Sequence, residues 1–186
     1  MTQISPTVQR LVILCGVFLL ASGFVGSATA GDDEKAPTTR EQVLGLEAMC
    51  AENAEAMAAR QTEKSLYERL GGEEKTHEIV VEIVRLHSIN PVIKHTLEGV
   101  DEARLIHGVT QFLVAGSGGP AEYKGRNMVD AYAHLELTNA EFLAAGGDVM
   151  QGMKNKECGE TEIQEVVCVL VSLRDQVVID ADKKVQ

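Results

Sequence analysis

The chain has 186 residues, 45% of them apolar, and a net charge of −11, which suits one domain with a real core. So acidic a chain repels nucleic acid and anionic membrane, and neither is expected as a partner. Residues 1–30 carry one cation, Arg10, then the apolar run Leu11 to Val25, then Ala28-Thr29-Ala30 with its small-x-small pattern. That order reads as a secretory signal cleaved after Ala30. The run is shorter than the ~20 residues a membrane span needs, so the mature chain is expected free of the membrane, secreted or periplasmic. Its net charge is then −12, because only Arg10 is lost.

Residues 31–63 read as a linker and a pre-domain helix. Gly31 to Pro37 is charged and solvated, and Thr38-Thr39-Arg40-Glu41 is a capping box ahead of a weak apolar stripe, Val43, Leu44, Leu46, Met49 and Met57. This helix either docks on the domain after it or forms a partly ordered extension.

A domain is expected over 64–180, with 181–186 as a C-terminal tail. Ser65-Leu66-Tyr67-Glu68 is a second capping box, and Gly71-Gly72 stops that short helix. Ile79, Val80, Ile83, Val84 and Leu86 then recur at helical spacing until Asn90-Pro91. After a brief irregular or single-turn segment, Asp101 caps a helix bearing Leu105, Ile106, Val109, Phe112 and Leu113, broken by Gly116-Ser117-Gly118-Gly119-Pro120. That glycine run lacks the preceding strand and following lysine of a phosphate loop, so it reads as a flexible turn. A short helix around Asn127 to Leu135 comes next. Another is opened by Thr138-Asn139-Ala140-Glu141, and a last one starts at Thr161 with a box closing on Gln164. No strand alternation competes with these periods, so the fold class is all-α.

The three cysteines beyond the leader are Cys50, Cys158 and Cys168, an odd number that leaves one free or intermolecular thiol in an oxidising compartment. Cys158 and Cys168 are poor partners, because a helix from Thr161 carries Cys168 about 10 Å along its axis. Cys50 with Cys158 is geometrically open. Cys168, among Val166, Val167 and Leu170, reads as core. The many acids are placed on exposed helix faces, as solvation alone requires, and no nucleophilic triad or paired-carboxylate site can be assembled.

Several blocks together resemble a family. Ser65 to Gly72 (Ser-Leu-Tyr-Glu-Arg-Leu-Gly-Gly), Glu98-Gly99-Val100-Asp101 with Ala103-Arg104-Leu105, Gly118-Gly119-Pro120-Ala121-Glu122-Tyr123-Lys124-Gly125-Arg126-Asn127-Met128, and Ala131-Tyr132-Ala133-His134-Leu135 before Thr138 and Phe142 are similar in wording and order to group I truncated haemoglobins. The resemblance spans roughly 115 residues, and the two double-glycine blocks make it specific. It implies a two-over-two helical sandwich holding haem between the Asp101 helix and the short helix containing Tyr132, with a diatomic gas (O2, NO or CO) as ligand.

The pocket departs from the family at each position that matters. The proximal histidine's position, four residues after Met128, holds Tyr132. The Phe-Tyr pair of the first long helix is Ile83-Val84, the two phenylalanines before the Glu-Gly turn are Thr96-Leu97, and the distal glutamine positions hold Leu105 and Val109. Under the resemblance Val84, Leu97, Leu105, Val109, Phe112, Met128 and Tyr132 line the haem. Tyr132 then takes one of two roles. As a phenolate it ligates ferric iron, which needs a cation to depress a pKa near 10, with Arg126 the nearest in sequence. As a neutral phenol it fills the site. His134 is the alternative metal ligand if the short helix slips, since two residues place it about 200° around. His77, His87, His95 and His107 read as solvated or hydrogen-bonded side chains.

Two functions are compatible with these residues. One is a haem protein binding a diatomic gas, not an enzyme unless ferric haem adds nitric oxide or peroxide chemistry. The other is a haem-free, degenerate globin used as an interaction or structural domain, its cavity filled by Val84, Leu97, Leu105, Val109 and Tyr132. Nothing in the sequence names a protein partner.

Overall fold

The structure is a computed structural model and describes residues 36–179; the expected signal segment and the tail lie outside them. The described residues form seven α-helices with two short 3-10 turns and no sheet. Helix α1 (Thr39–Glu63) opens on the Thr38 capping box, in which the Thr38 hydroxyl accepts from the Glu41 N–H at 3.3 Å and the Glu41 carboxylate accepts from the Thr38 N–H at 2.7 Å. Alanine at 48, 51, 54, 56, 58 and 59 makes it a strong helix former with little to bury. Val43 is its only buried residue.

The next two helices are set by glycine chemistry. Ser65 caps α2 (Leu66–Leu70) with the same reciprocal box, and Gly71 ends it at φ +95°, a left-handed conformation that costs other residues steric strain. Helix α3 (Gly72–Ile89) begins at once and buries Thr76, Ile79, Val80, Ile83 and Val84 along one stripe. The Pro91 segment contains the 3-10 turn Lys94–Leu97, and Asp101 then caps α4 (Glu102–Gly116) by accepting from the Arg104 N–H at 3.1 Å.

The glycine run after α4 is not the flexible turn expected. The Gly119 N–H donates to the Val114 carbonyl at 2.8 Å, the Tyr67 N–H donates to the Ser117 carbonyl at 3.0 Å, and a Cβ on Gly119 would lie 2.8 Å from the Val114 carbonyl oxygen. The chain turns against its own helix end and against α2, which only glycine permits.

Helix α5 (Met128–Tyr132) is one short piece capped by Asn127 and continued by the 3-10 turn Ala133–Leu135. Helix α6 (Asn139–Asn155) starts on the Thr138 capping box. Helix α7 (Glu160–Val177) starts one residue before the position expected: Gly159 is its N-cap, and the Thr161 hydroxyl donates to Glu162 at 3.1 Å instead of closing a box on Gln164. Leu137 and Val178 pair as an isolated parallel bridge.

Helix α3 packs on α4 and on α6, and α6 packs on α7, giving a two-over-two helical sandwich. One core, Leu66, Leu70, Ile79, Ile83, Val149, Met153, Ile163 and Val166, joins α2, α3, the second half of α6 and the first half of α7. Ile79 and Met153 are 0% exposed. Helix α1 lies on α7 and α6.

Two expectations about side chains are overturned at α7. The disulfide joins Cys50 to Cys168, with Cα atoms 5.5 Å apart, and Cys158 is the free thiol. Helix α1 runs along α7 and brings Cys50 to a buried Cys168, whereas Cys158 sits in the α6–α7 connection beside the core. Nor are all the acids on exposed faces. Glu165 is buried and accepts from Arg60 Nε at 2.6 Å and from Arg69 Nη2, while Arg69 Nη1 donates to Glu162 at 2.7 Å. Two guanidinium groups around one carboxylate supply the partners a buried charge needs.

Candidate functional site

Two stripes divide α4. Ile106, Thr110, Leu113, Val114 and Ser117 lie along one face, with Thr110, Val114 and Ser117 buried toward α3. Leu105, Val109 and Phe112 fall roughly 100–160° around the helix from Thr110. All three remain half-buried. This apolar row is only partly covered by the rest of the chain.

The first half of α6 has the same character. Every residue from Glu141 to Asp148 is half-buried, whereas from Val149 onward buried residues alternate with exposed ones. A Cβ added at Gly146, Gly147 or, on α4, Gly108 would meet nothing within 4 Å. At Gly152, further along α6, it would lie 2.7 Å from Ile83 Cγ1. Helix α6 is therefore open at Gly146 and Gly147 and crowded at Gly152.

Val84 is buried on α3, Leu97 is half-buried on the 3-10 turn, and Met128 and Tyr132 are the half-buried first and last residues of α5. Phe112 meets Tyr123, in the segment leading to α5, edge to face at 5.3 Å between ring centroids. Tyr123 in turn donates to the Arg126 carbonyl at 3.0 Å. Helix α5 packs on α7. His134, on the 3-10 turn beyond Tyr132, is exposed.

Tyr132 is partly exposed as a residue, yet its phenol lies deep enough that burial pushes its pKa above the usual value, with Tyr123 adding in the same direction. No cation acts on it: Arg126, the nearest in sequence, is exposed and is not among the groups that shift it. At neutral pH the phenol holds its proton.

Sequence reasoning passed over two features of this region. Tyr123 was visible only as one letter of a motif, although aromatic contact with Phe112 ties α4 to the α5 approach. His87 and Asp148 meet across α3 and α6, with Nδ1 3.0 Å from Oδ2, and Asn90 donates to both oxygens of the same carboxylate. Burial lowers the His87 pKa and Asp148 opposes that shift in part. No spacing rule relates positions 61 residues apart; only the packing does.

A two-over-two sandwich with an under-covered apolar face on α4 and a short helix α5 beyond a glycine break is the architecture of a truncated globin. The bacterial-like globin family model matches residues 65–178, and the chain belongs to that family. It is 28% identical over 111 residues to a group 1 truncated haemoglobin of Tetrahymena pyriformis, covering 60% of this chain and 92% of the relative. Over 110 residues it is 26% identical to that of Tetrahymena thermophila, covering 59% and 91%. The crystal structure of the Tetrahymena pyriformis truncated haemoglobin, Fe(III) form, superimposes with a TM-score of 0.60 at 26% identity, covering 63% of this chain and all of that one. The 2/2 haemoglobin of a Synechococcus species, with covalently attached haem, shares the fold at a TM-score of 0.56 and 23% identity.

The family implies haem, and the residues fit it unequally. The apolar row fits: Leu105, Val109 and Phe112 are half-buried on one side of α4. Tyr132, which the resemblance places at the ligand position, is a neutral phenol at pH 7. If phenolate is the ligating form, a phenol pKa above 10 discounts its availability at pH 7 by at least about a thousandfold.

Proposed function

We propose that this chain is a haem-binding globin in which apolar walls hold the porphyrin and Tyr132 occupies the proximal position. The half-buried apolar Leu105–Val109–Phe112 stripe of α4, on a globin fold, is the observation that carries this reading. Haem, when bound, supplies an iron coordination position for a diatomic gas, which is the ligand class of the family. Val84, Leu97, Leu105 and Val109 exclude water and offer no hydrogen-bond donor to a bound ligand. Tyr132 would hold the haem group through its Oη, which as a free phenol keeps its proton at neutral pH. Secretion belongs to the same proposal, and the Cys50–Cys168 disulfide supports an oxidising compartment.

The neutral Tyr132 phenol favours a second reading, a haem-free globin scaffold used for interaction. Haemin titration separates the two. Wild type is expected to develop a Soret band with saturable binding, and Tyr132→His to bind at least about tenfold more tightly, because an imidazole needs no such loss of a proton. Val109→Asp, which puts a charge on the apolar wall, should weaken binding in either background. If neither wild type nor Tyr132→His binds while both remain folded, the scaffold reading holds. If binding is instead lost in His134→Ala alone, His134 is the ligand.

A further inference from the structure

We propose that the Cys50–Cys168 disulfide is a redox latch: it holds the N-terminal two thirds of α1 against α7, and a dithiol reductant releases that arm while the globin domain stays folded. The contacts of α1 are unevenly distributed. Its C-terminal end is pinned by Arg60 to Glu165 at 2.6 Å and by Gln61, which donates to the Ser117 carbonyl at 3.2 Å and accepts from the Leu66 N–H at 2.8 Å. This end also continues directly into α2, so it stays in place. Residues 39–56 have much less. Among the described residues, their one fully buried side chain is Val43, Leu46 and Met49 are half-buried, Glu47 meets Arg174 at a long 3.8 Å, and the covalent tie to the domain is the disulfide. One buried valine and two half-buried apolar side chains across residues 39–56 do not offset the freedom an unlatched arm regains.

Chemistry places the point of attack at Cys50. Its partner Cys168 is buried, whereas Cys50 is half-buried. A thiolate of the dithiol bonds to Cys50 Sγ and the S–S bond breaks. Cys168 leaves as a thiolate and takes up a proton. The second thiol of the reductant then attacks the mixed disulfide, closing its own disulfide and returning Cys50 as a thiol. Two electrons and two protons pass to the protein, and the dithiol is oxidised. Once free, residues 39–56 uncover the α7 face around Cys168 and remove Glu47 from Arg174, whose Nε also donates to Asn139 at the start of α6.

Amide hydrogen exchange on the full chain tests this, oxidised and after reduction with dithiothreitol, with alkylation of Cys50 and Cys168 confirming that the bond is open. Reduction is expected to speed exchange across residues 42–56 by at least about tenfold while 72–89 and 149–170 change little. Cys50→Ser should show the fast pattern without reductant. Unchanged protection of 42–56 in the alkylated protein would overturn the proposal, since noncovalent contacts would then suffice. Loss of protection across the whole of 65–178 would also overturn it, since the disulfide would be a staple for the fold.

Discussion

The two halves of α6 differ sharply in how they are packed. From Val149 to Met153 the helix is pressed so closely on α3 that Gly152 faces Ile83 with no room for a methyl group, and Met153 is sealed. From Glu141 to Asp148 each residue is partly exposed and two glycines face open space. One end of the sandwich is complete by itself. The other leaves the first half of α6 only partly covered by the rest of the chain.

Substitutions can break or sharpen that comparison, the strongest at the sealed end. Ile79→Ala or Met153→Ala should each cost about 2–5 kcal/mol in denaturant unfolding, because neither site can collapse around the loss. A cost below about 1 kcal/mol would mean the core is not the closed unit described. Gly152→Ala should then cost about 1–3 kcal/mol through the clash with Ile83. Gly147→Ala, five residues away on the same helix, should instead be neutral or stabilise by up to about 1 kcal/mol, from helix propensity in open space. Equal effects at the two glycines would erase the distinction.

Two titrations have smaller expected effects. Tyr132 has a folded-state pKa above its unfolded value, so its contribution is fully present below about pH 10 and is lost as pH rises through the folded value. Thermal unfolding of wild type without haem should therefore fall off above about pH 10 more steeply than that of Tyr132→Phe; identical profiles would place the phenol in water. His87 runs in the other direction. Its pKa is depressed by burial, so the unfolded chain takes up its proton first, and stability is lost as pH falls through about 6.5. His87→Gln should flatten the stability profile between about pH 7 and 5, and an unchanged slope would show that Asp148 compensates burial fully.

Much of the framework was legible in single letters. Thr38, Ser65, Asp101 and Thr138 cap the helices their spacing announces, and Gly71 takes the left-handed stop expected of it, because caps and stops are local bonds within four residues. At Thr161 the same reasoning failed. A Ser/Thr-x-x-Gln pattern describes a bond that can form, and Gly159 offered the chain an earlier start. Residue types along α4 and α5 were legible in the sequence, but not the environment each side chain meets. The resemblance aligns Tyr132 with the family's histidine, whereas the absence of a cation acting on its phenol depends on how α5 sits.

The sequence by itself determined the helical periods, their breaks, the family's blocks of residues and the apolar character of each wall position, since these depend on neighbours a few residues apart and on side-chain chemistry. Tertiary structure alone decided that Cys50 meets Cys168 across 118 residues, that Glu165 is buried between two arginines, and that Gly152 is crowded while Gly147 is free. Those outcomes depend on which helix faces come together and how closely, a property of the packed whole that no local pattern records.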